Sequence, residues 1–303
     1  MTDASRMPVR GVFAASGTPR DERGVLDEDG FRTTLERLLA RGVDGFAING
    51  ATGEYCLTTP DELRLVARIA SEVVGTRAAF ICGIGAAGIR ACLENAAIAA
   101  GAGARAVLLP MPHFFPYEQD DLESFCREVA RRSELPVLLY NLPRFTSPLW
   151  PETAQALIAT CPNIVGIKDS SGSLETLGLL TRSRTAGCRI VGSDDVLPEA
   201  LRTGVCDGVV SGVASVVPEL IVTLYRLREQ PDSVAFRDAV TWLEEFIAAI
   251  APLPVPWGLK IAAEASGLAA GFSQPLSPRR AEQAAALRQW YRLWQPRTIE
   301  TTA

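Results

Sequence analysis

Lysine is scarce in this chain. Of the 30 Lys+Arg residues only Lys168 and Lys260 are lysine. Lys168 ends the run Ile164-Val165-Gly166-Ile167, whose β-branched residues suit a buried parallel strand, and polar residues and Gly172 follow at once. Arginine keeps its proton in a protein, whereas a lysine ammonium can be driven by burial to a nucleophilic amine. Lys168 is therefore either a strand-end cation that reaches solvent or pairs with Asp169, or a nucleophile for a carbonyl. Tyr140 closes the preceding strand, Pro136–Tyr140, which puts it beside Lys168. An amine condensing with a ketone needs a proton shuttle when the carbinolamine loses water, and a neighbouring tyrosine hydroxyl can supply it. The loop Gly50-Ala51-Thr52-Gly53-Glu54 offers backbone N–H groups and a hydroxyl, a seat for a small carboxylate. Together the three describe Schiff-base chemistry on a 2-oxo acid. Each alone has a plainer reading. Tyr140 can be a packing residue, the glycines a turn, and Asp194-Asp195 a helix cap. Ser170-Ser171 reads as cap and turn.

Composition removes other classes. The net charge of −5 gives no footprint for nucleic acid or an anionic membrane surface. Met1–Arg10 is polar without an apolar signal core, and no run is long enough to span a membrane. The seven cysteines are scattered and odd in number, with no CxxC pair; they read as small buried hydrophobes in a reducing, cytoplasmic setting rather than a disulfide or zinc framework. His113 is the one histidine. That rules out a metal site built on several histidines, and leaves a Ser/His/Asp triad only if His113 is its base. A lone histidine is more often structural or a pocket wall than a catalyst. Proton transfer then falls to Tyr, Lys or a carboxylate.

The elements that must position these residues follow from periodicity and turn signals. Short apolar runs at Gly11–Ser16, Gly45–Asn49, Ala79–Cys82, Ala106–Leu109, Pro136–Tyr140, Ile164–Lys168, Arg189–Gly192 and Gly208–Ser211 alternate with helical stretches. Those stretches are Asp27–Arg41, Thr59–Val74, Ile89–Ala100, Gln119–Ser133, Pro151–Thr160, Ser173–Arg184, Pro198–Thr203 and Pro218–Glu229. Units of ~25–30 residues repeated in this way have the cadence of a (β/α)8 barrel. The open doubly wound alternative wants GxGxxG after the first strand, and none is there. Three more helices follow, Ser233–Ile250, Val255–Ser266 and Pro278–Trp294, with a frayed tail after them. The expected organisation is an α/β TIM barrel over residues 1–230 and a C-terminal helical extension over 231–303. In such a barrel the site lies at the C-terminal ends of the strands. Tyr140, Lys168, the Gly50–Glu54 loop, His113-Phe114-Phe115, Ser193-Asp194-Asp195 and Ser211-Gly212 all stand there. Asp207, ahead of the last strand, is at the wrong end for chemistry.

Four motifs in this order, Gly50-Ala51-Thr52-Gly53-Glu54, Tyr140-Asn141-Leu142-Pro143, Gly166-Ile167-Lys168-Asp169 and Gly192-Ser193-Asp194, resemble the dihydrodipicolinate synthase/N-acetylneuraminate lyase family of class I lyases over nearly the whole chain. The resemblance implies Lys168 as the Schiff-base lysine for pyruvate, Tyr140 as the proton-transfer residue, and Thr52 with the amides around it as the carboxylate seat. It implies no metal or cofactor, since the iminium is the electron sink, and usually a homotetramer. Ala51, Thr52, Gly192, Asp194 and Val210 are the expected substrate-binding set, with Phe114 and Phe145 as pocket wall.

Departures from the family pattern bear on the substrate. Where the synthase branch has two adjacent hydroxyl residues, Ala51 replaces the first. Phe114 stands in place of a second tyrosine. Phe145 takes the place of an arginine that holds the semialdehyde carboxylate, with Arg144 one residue off. Lysine-pathway synthase activity is therefore not expected. Pro112–Pro116 and Gly192-Ser193-Asp194 are more similar to 2-keto-3-deoxy-sugar-acid aldolases, in which pyruvate is released from, or joined to, an aldehyde. A hydratase-aldolase of a less polar aldehyde, a keto-deoxy-acid dehydratase and a non-catalytic 2-oxo-acid-binding barrel stay open.

Overall fold

The structure, a computed structural model, describes residues 9–294; the expectations for Met1–Pro8 and for the tail after Trp294 fall outside those residues. Eight parallel strands close in sequence order into a barrel, β8 pairing back to β1. They are β1 Gly11–Ala15, β2 Gly45–Ile48, β3 Ala79–Gly83, β4 Ala106–Pro110, β5 Val137–Asn141, β6 Ile164–Asp169, β7 Cys188–Val191 and β8 Gly208–Ser211. The ring of helices is α1 Glu28–Ala40, α2 Pro60–Val74, α3 Ile89–Gly101, α4 Gln119–Arg132, α5 Pro151–Thr160, α6 Glu175–Arg182, α7 Leu197–Thr203 and α8 Pro218–Arg226. The extension is α9 Val234–Ile250, α10 Trp257–Ala265 and α11 Pro278–Trp294.

The unbroken apolar strand runs are explained by two separate cores. Successive side chains on a strand point to opposite faces. Phe13, Ala15, Ala47, Ile81, Leu108, Leu138, Ile190 and Val210 point inward and fill the barrel. Val12, Ala14, Phe46, Ile48, Val107, Leu109, Leu139 and Ile167 point outward and pack with the helices. Neither face meets water, so neither is polar. Helix starts follow their caps: Thr59 accepts from the Glu62 amide at 3.2 Å with Pro60 in the first turn, and Asp27 accepts from Gly30 at 2.9 Å. Helix α6 is shorter than expected at both ends. The Ser173 hydroxyl accepts from Glu175 ahead of it, and Arg184 turns left-handed after it, at φ 54°.

At the N-terminal mouth Asp207 holds Arg189 through two side-chain contacts of 3.0 and 2.7 Å, a structural clasp far from the strand ends that matter. Helix α9 buries Phe236, Ala239, Leu243 and Phe246 in the same core as the barrel helices. Four cysteines are buried as expected, but Cys56 is exposed and Cys161 and Cys206 are intermediate. Among the described residues no helix is long and apolar enough to cross a membrane.

Candidate active site

Tyr140 and Lys168 face each other directly in the β5–β6 register. Both are inward positions: Tyr140 belongs to the barrel's inner core, and the Lys168 Nζ lies 4.2 Å above the centre of the Tyr140 ring. Both are nearly buried, at 3% and 4% exposure. The next residue on each strand faces the other way. Asn141 donates to Asp169 at 3.3 Å and accepts from the Leu149 amide at 3.1 Å, while Asp169 accepts from Ser171 at 2.8 Å. Strand alternation thus disposes of the plain reading of Lys168, because Asp169 is turned away from it.

Gly192, just past β7, leaves space for this lysine. A Cβ there would lie 2.7 Å from Lys168 Cε and 2.9 Å from its Cγ, and would also run into Ser170 Oγ. The Ser170 hydroxyl is enclosed and has no hydrogen-bond partner among the described residues. Sequence reasoning passed over it as a turn residue; its place two residues past the lysine, in phase with it on the pleat, was the available signal.

Asp194 opens a short 3-10 turn, Asp194–Val196, and does not cap it. Its Oδ2 accepts from the Val213 amide at 3.1 Å, which ties the loop after β7 to the loop after β8. Oδ1 is enclosed with no hydrogen-bond partner among the described residues. Burial pushes the Asp194 carboxyl above the usual carboxylate range, against the pull of Ser211, the Val213 amide and the Lys168 charge. Thr52 reaches the same place: a Cβ on Gly212 would lie 3.6 Å from Asp194 Oδ2 and 3.8 Å from Thr52 Oγ1.

The loop after β2 is bounded by two left-handed residues, Asn49 at φ 51° and Glu54 at φ 57°. Asn49 donates to the Gly83 carbonyl at 2.7 Å, and Thr18 donates to Gly53 at 3.0 Å. The amides of Glu54 and Tyr55 close back on Ala51 and Gly50. Those of Ala51, Thr52 and Gly53 have no protein acceptor among the described residues. Ala51 packs against the inner core that holds Tyr140 and Val210.

The structure therefore gathers Lys168, Tyr140, Ala51, Thr52, Gly192 and Asp194 at one mouth, with Val210 lower in the barrel. Phe114 and Phe145, on the loops after β4 and β5, are exposed, at 86% and 47%. His113 meets the edge of Tyr55, ring centres 6.1 Å apart, with Nδ1 enclosed and without a partner among the described residues. Among the described residues no group of three His, Cys, Asp or Glu side chains is placed to hold a metal.

A closed (β/α)8 barrel with a buried lysine and a tyrosine at the ends of adjacent strands defines a carbon–carbon lyase of the Schiff-base, class I aldolase type. The chain belongs to the dihydrodipicolinate synthetase family, whose model matches residues 8–291. It is 36% identical over 286 residues to 4-hydroxy-tetrahydrodipicolinate synthase 1 of Streptomyces coelicolor, covering 92% of this chain and 90% of that one. A prophage protein from E. coli of the same family, solved in complex with pyruvate, superposes with a TM-score of 0.86 at 26% identity, over 94% of this chain and 98% of that one. N-acetylneuraminate lyase from Mycoplasma synoviae shares the fold at a TM-score of 0.82 and 20% identity, over 94% and 97%.

Proposed function

We propose that the protein forms a Schiff base between Lys168 and pyruvate, and that it makes or cleaves a C–C bond in a 2-keto-3-deoxy sugar acid. The observation that carries the first part is the Lys168 amine 4.2 Å over the Tyr140 ring in a buried barrel mouth. The lysine nitrogen attacks the C2 ketone. Tyr140 hands a proton to the departing hydroxyl, and water leaves. In the cleavage direction the Tyr140 oxygen, its own proton given up, takes the C4 hydroxyl proton, and the iminium takes up the electron pair of the breaking C3–C4 bond as the aldehyde departs. The resulting enamine is protonated at C3 and hydrolysed to pyruvate. The carboxylate sits on the free amides of Ala51 to Gly53 and the Thr52 hydroxyl.

The second part rests on Ser170 Oγ and Asp194 Oδ1. Two enclosed polar atoms with no partner among the described residues call for hydroxyl groups on the bound molecule, since a buried unpaired polar atom is costly. The competing reading is the synthase activity for which the Streptomyces relative is named. Ala51, Phe114 and Phe145 weigh against it. The exposed Phe114, Phe115, Phe145 and Trp150 lie on the loops after β4 and β5, which Tyr117–Ser147 and Gln119–Trp150 bonds stitch together. Such a face supports a homotetramer, and seven free thiols support a cytoplasmic setting.

The test is to incubate protein with pyruvate, reduce with borohydride, and map the adduct by mass spectrometry. An adduct on Lys168 is expected. Its absence, or an adduct on Lys168→Ala protein, sinks the assignment. A screen of aldehydes with pyruvate, hydroxylated ones against aspartate semialdehyde, then decides the substrate. Preference for the semialdehyde would overturn the sugar-acid reading.

A further inference from the structure

The mechanism leaves the second lysine unused. Lys260 lies on α10, in the C-terminal extension, yet its side chain is 4% exposed. Its Nζ is bonded to the Glu54 carboxylate, itself 7% exposed and 206 residues away in sequence. Burial pulls the Lys260 ammonium down from its usual range, and Glu54 opposes that. The Ser273 hydroxyl stands 3.5 Å from the other Glu54 oxygen.

Glu54 is the residue that ends the loop of free amides. Its left-handed backbone, φ 57° and ψ 46°, is a conformation that a non-glycine residue keeps only where its surroundings hold it. Asn49 holds the start of the loop through β3; Glu54 holds its end through α10. The same turn of α10 reaches the other side of the mouth, where Leu259 lies against Gly212. A small cavity is lined by both Thr52 and Lys260, together with Thr18, Ser215 and Leu259, so the loop and the ion pair border the same space.

We infer that Lys260 is a positioning residue: through Glu54 it fixes the loop that seats the substrate carboxylate, and so makes affinity for a 2-oxo acid depend on the C-terminal extension. Without Lys260 the Glu54 carboxylate is buried and unpaired, a state it leaves by turning toward water. Thr52 and the amides two residues earlier move with it. This rests on the Schiff-base reading above, and on the loop as the carboxylate seat. It separates the seat from the chemistry, because Lys168 and Tyr140 stand on strands that Lys260 does not touch.

The experiment compares borohydride trapping by pyruvate with trapping by acetone, which has the ketone but no carboxylate. For Lys260→Met the half-saturating pyruvate concentration is expected to rise about tenfold, the worth of one hydrogen bond to a charged group. The yield at saturation and the half-saturation for acetone should stay within about twofold of the parent, as for any change remote from the reacting atoms. Glu54→Gln should show the same split. The double variant, which removes both charges and serves if Lys260→Met does not fold, should be no worse than either single change. Unchanged pyruvate half-saturation in protein that still forms the Lys168 adduct overturns the inference alone. Equal losses for pyruvate and acetone overturn it too, as general damage. No adduct in the parent protein overturns the Schiff-base reading and this inference with it.

Discussion

Gly192→Ala should separate stability from chemistry. The new Cβ would stand 2.7 Å from Lys168 Cε and 2.9 Å from Cγ, where carbon atoms in contact normally keep about 3.5–4.0 Å apart. The lysine tail must swing aside by on the order of 1 Å. The tail is flexible, so the fold loses only about 1 kcal/mol, the low end for overpacking. The reaction loses more, because a ~1 Å misplacement of a reacting group costs about 100-fold in rate. Timed borohydride trapping, read by intact mass, should fall by about that factor, while the thermal midpoint drops by only about 2–4 °C. Gly45→Ala is the contrast. Its Cβ would meet the Ala79 carbonyl and the Phe13 ring, each at 2.5 Å, neighbours fixed in the barrel, so the fold should suffer first. Wild-type trapping rates in Gly192→Ala would refute the account of why this position is glycine.

Tyr140→Phe keeps the ring under the amine and removes only the hydroxyl; adduct formation should slow by about 10²–10⁴ with little change in melting, and an unchanged rate would exclude Tyr140 as the shuttle. Because burial raises the Asp194 carboxyl, its stabilising contribution is complete at low pH and is lost as pH rises through the raised folded-state value. Asp194→Asn should therefore melt higher than the parent near about pH 7.5, the gap closing toward about pH 4; a gap that widens in acid would contradict this. Asp207→Ala strips the half-buried Arg189 of its partner and should cost about 1.5–3 kcal/mol in denaturant unfolding, while the folded fraction traps pyruvate at the parent rate.

Much of this was legible before any coordinates. The barrel cadence showed because the strands stop at a glycine or polar residue, or at Pro110 in β4, a local signal. Lys168 and Tyr140 showed because side chains at strand ends in a barrel share one mouth. The rest depended on contacts that no periodicity encodes. Glu54 looked like the tail of a glycine turn, and its partner lies in an extension that the strand pattern leaves out. Gly192 is expected to face substrate; its tightest neighbours are Ser170 Oγ and the lysine tail. Asp194 suited a helix cap by residue type; only the approach of the β8 loop turns it to the Val213 amide. Phe114 and Phe145 are the expected pocket wall; the backbone turns left-handed at Phe114, φ 85°, and both side chains are exposed, a course that no periodicity encodes.

The alternation along β5 and β6 gives these strands a phase. Tyr140 and Lys168 occupy the inner crests, while Asn141 and Asp169 occupy the outer troughs and pair with each other. Insertion of one residue between Gly166 and Lys168, past the irregularity where Val165 has no partner on β5, would shift that phase by half a period. The carboxylate of Asp169 would then turn to the inner face, and the ammonium of Lys168 would be driven into the apolar seam under the helices. Substitutions along these strands can be graded in effect, but changes in their length cannot.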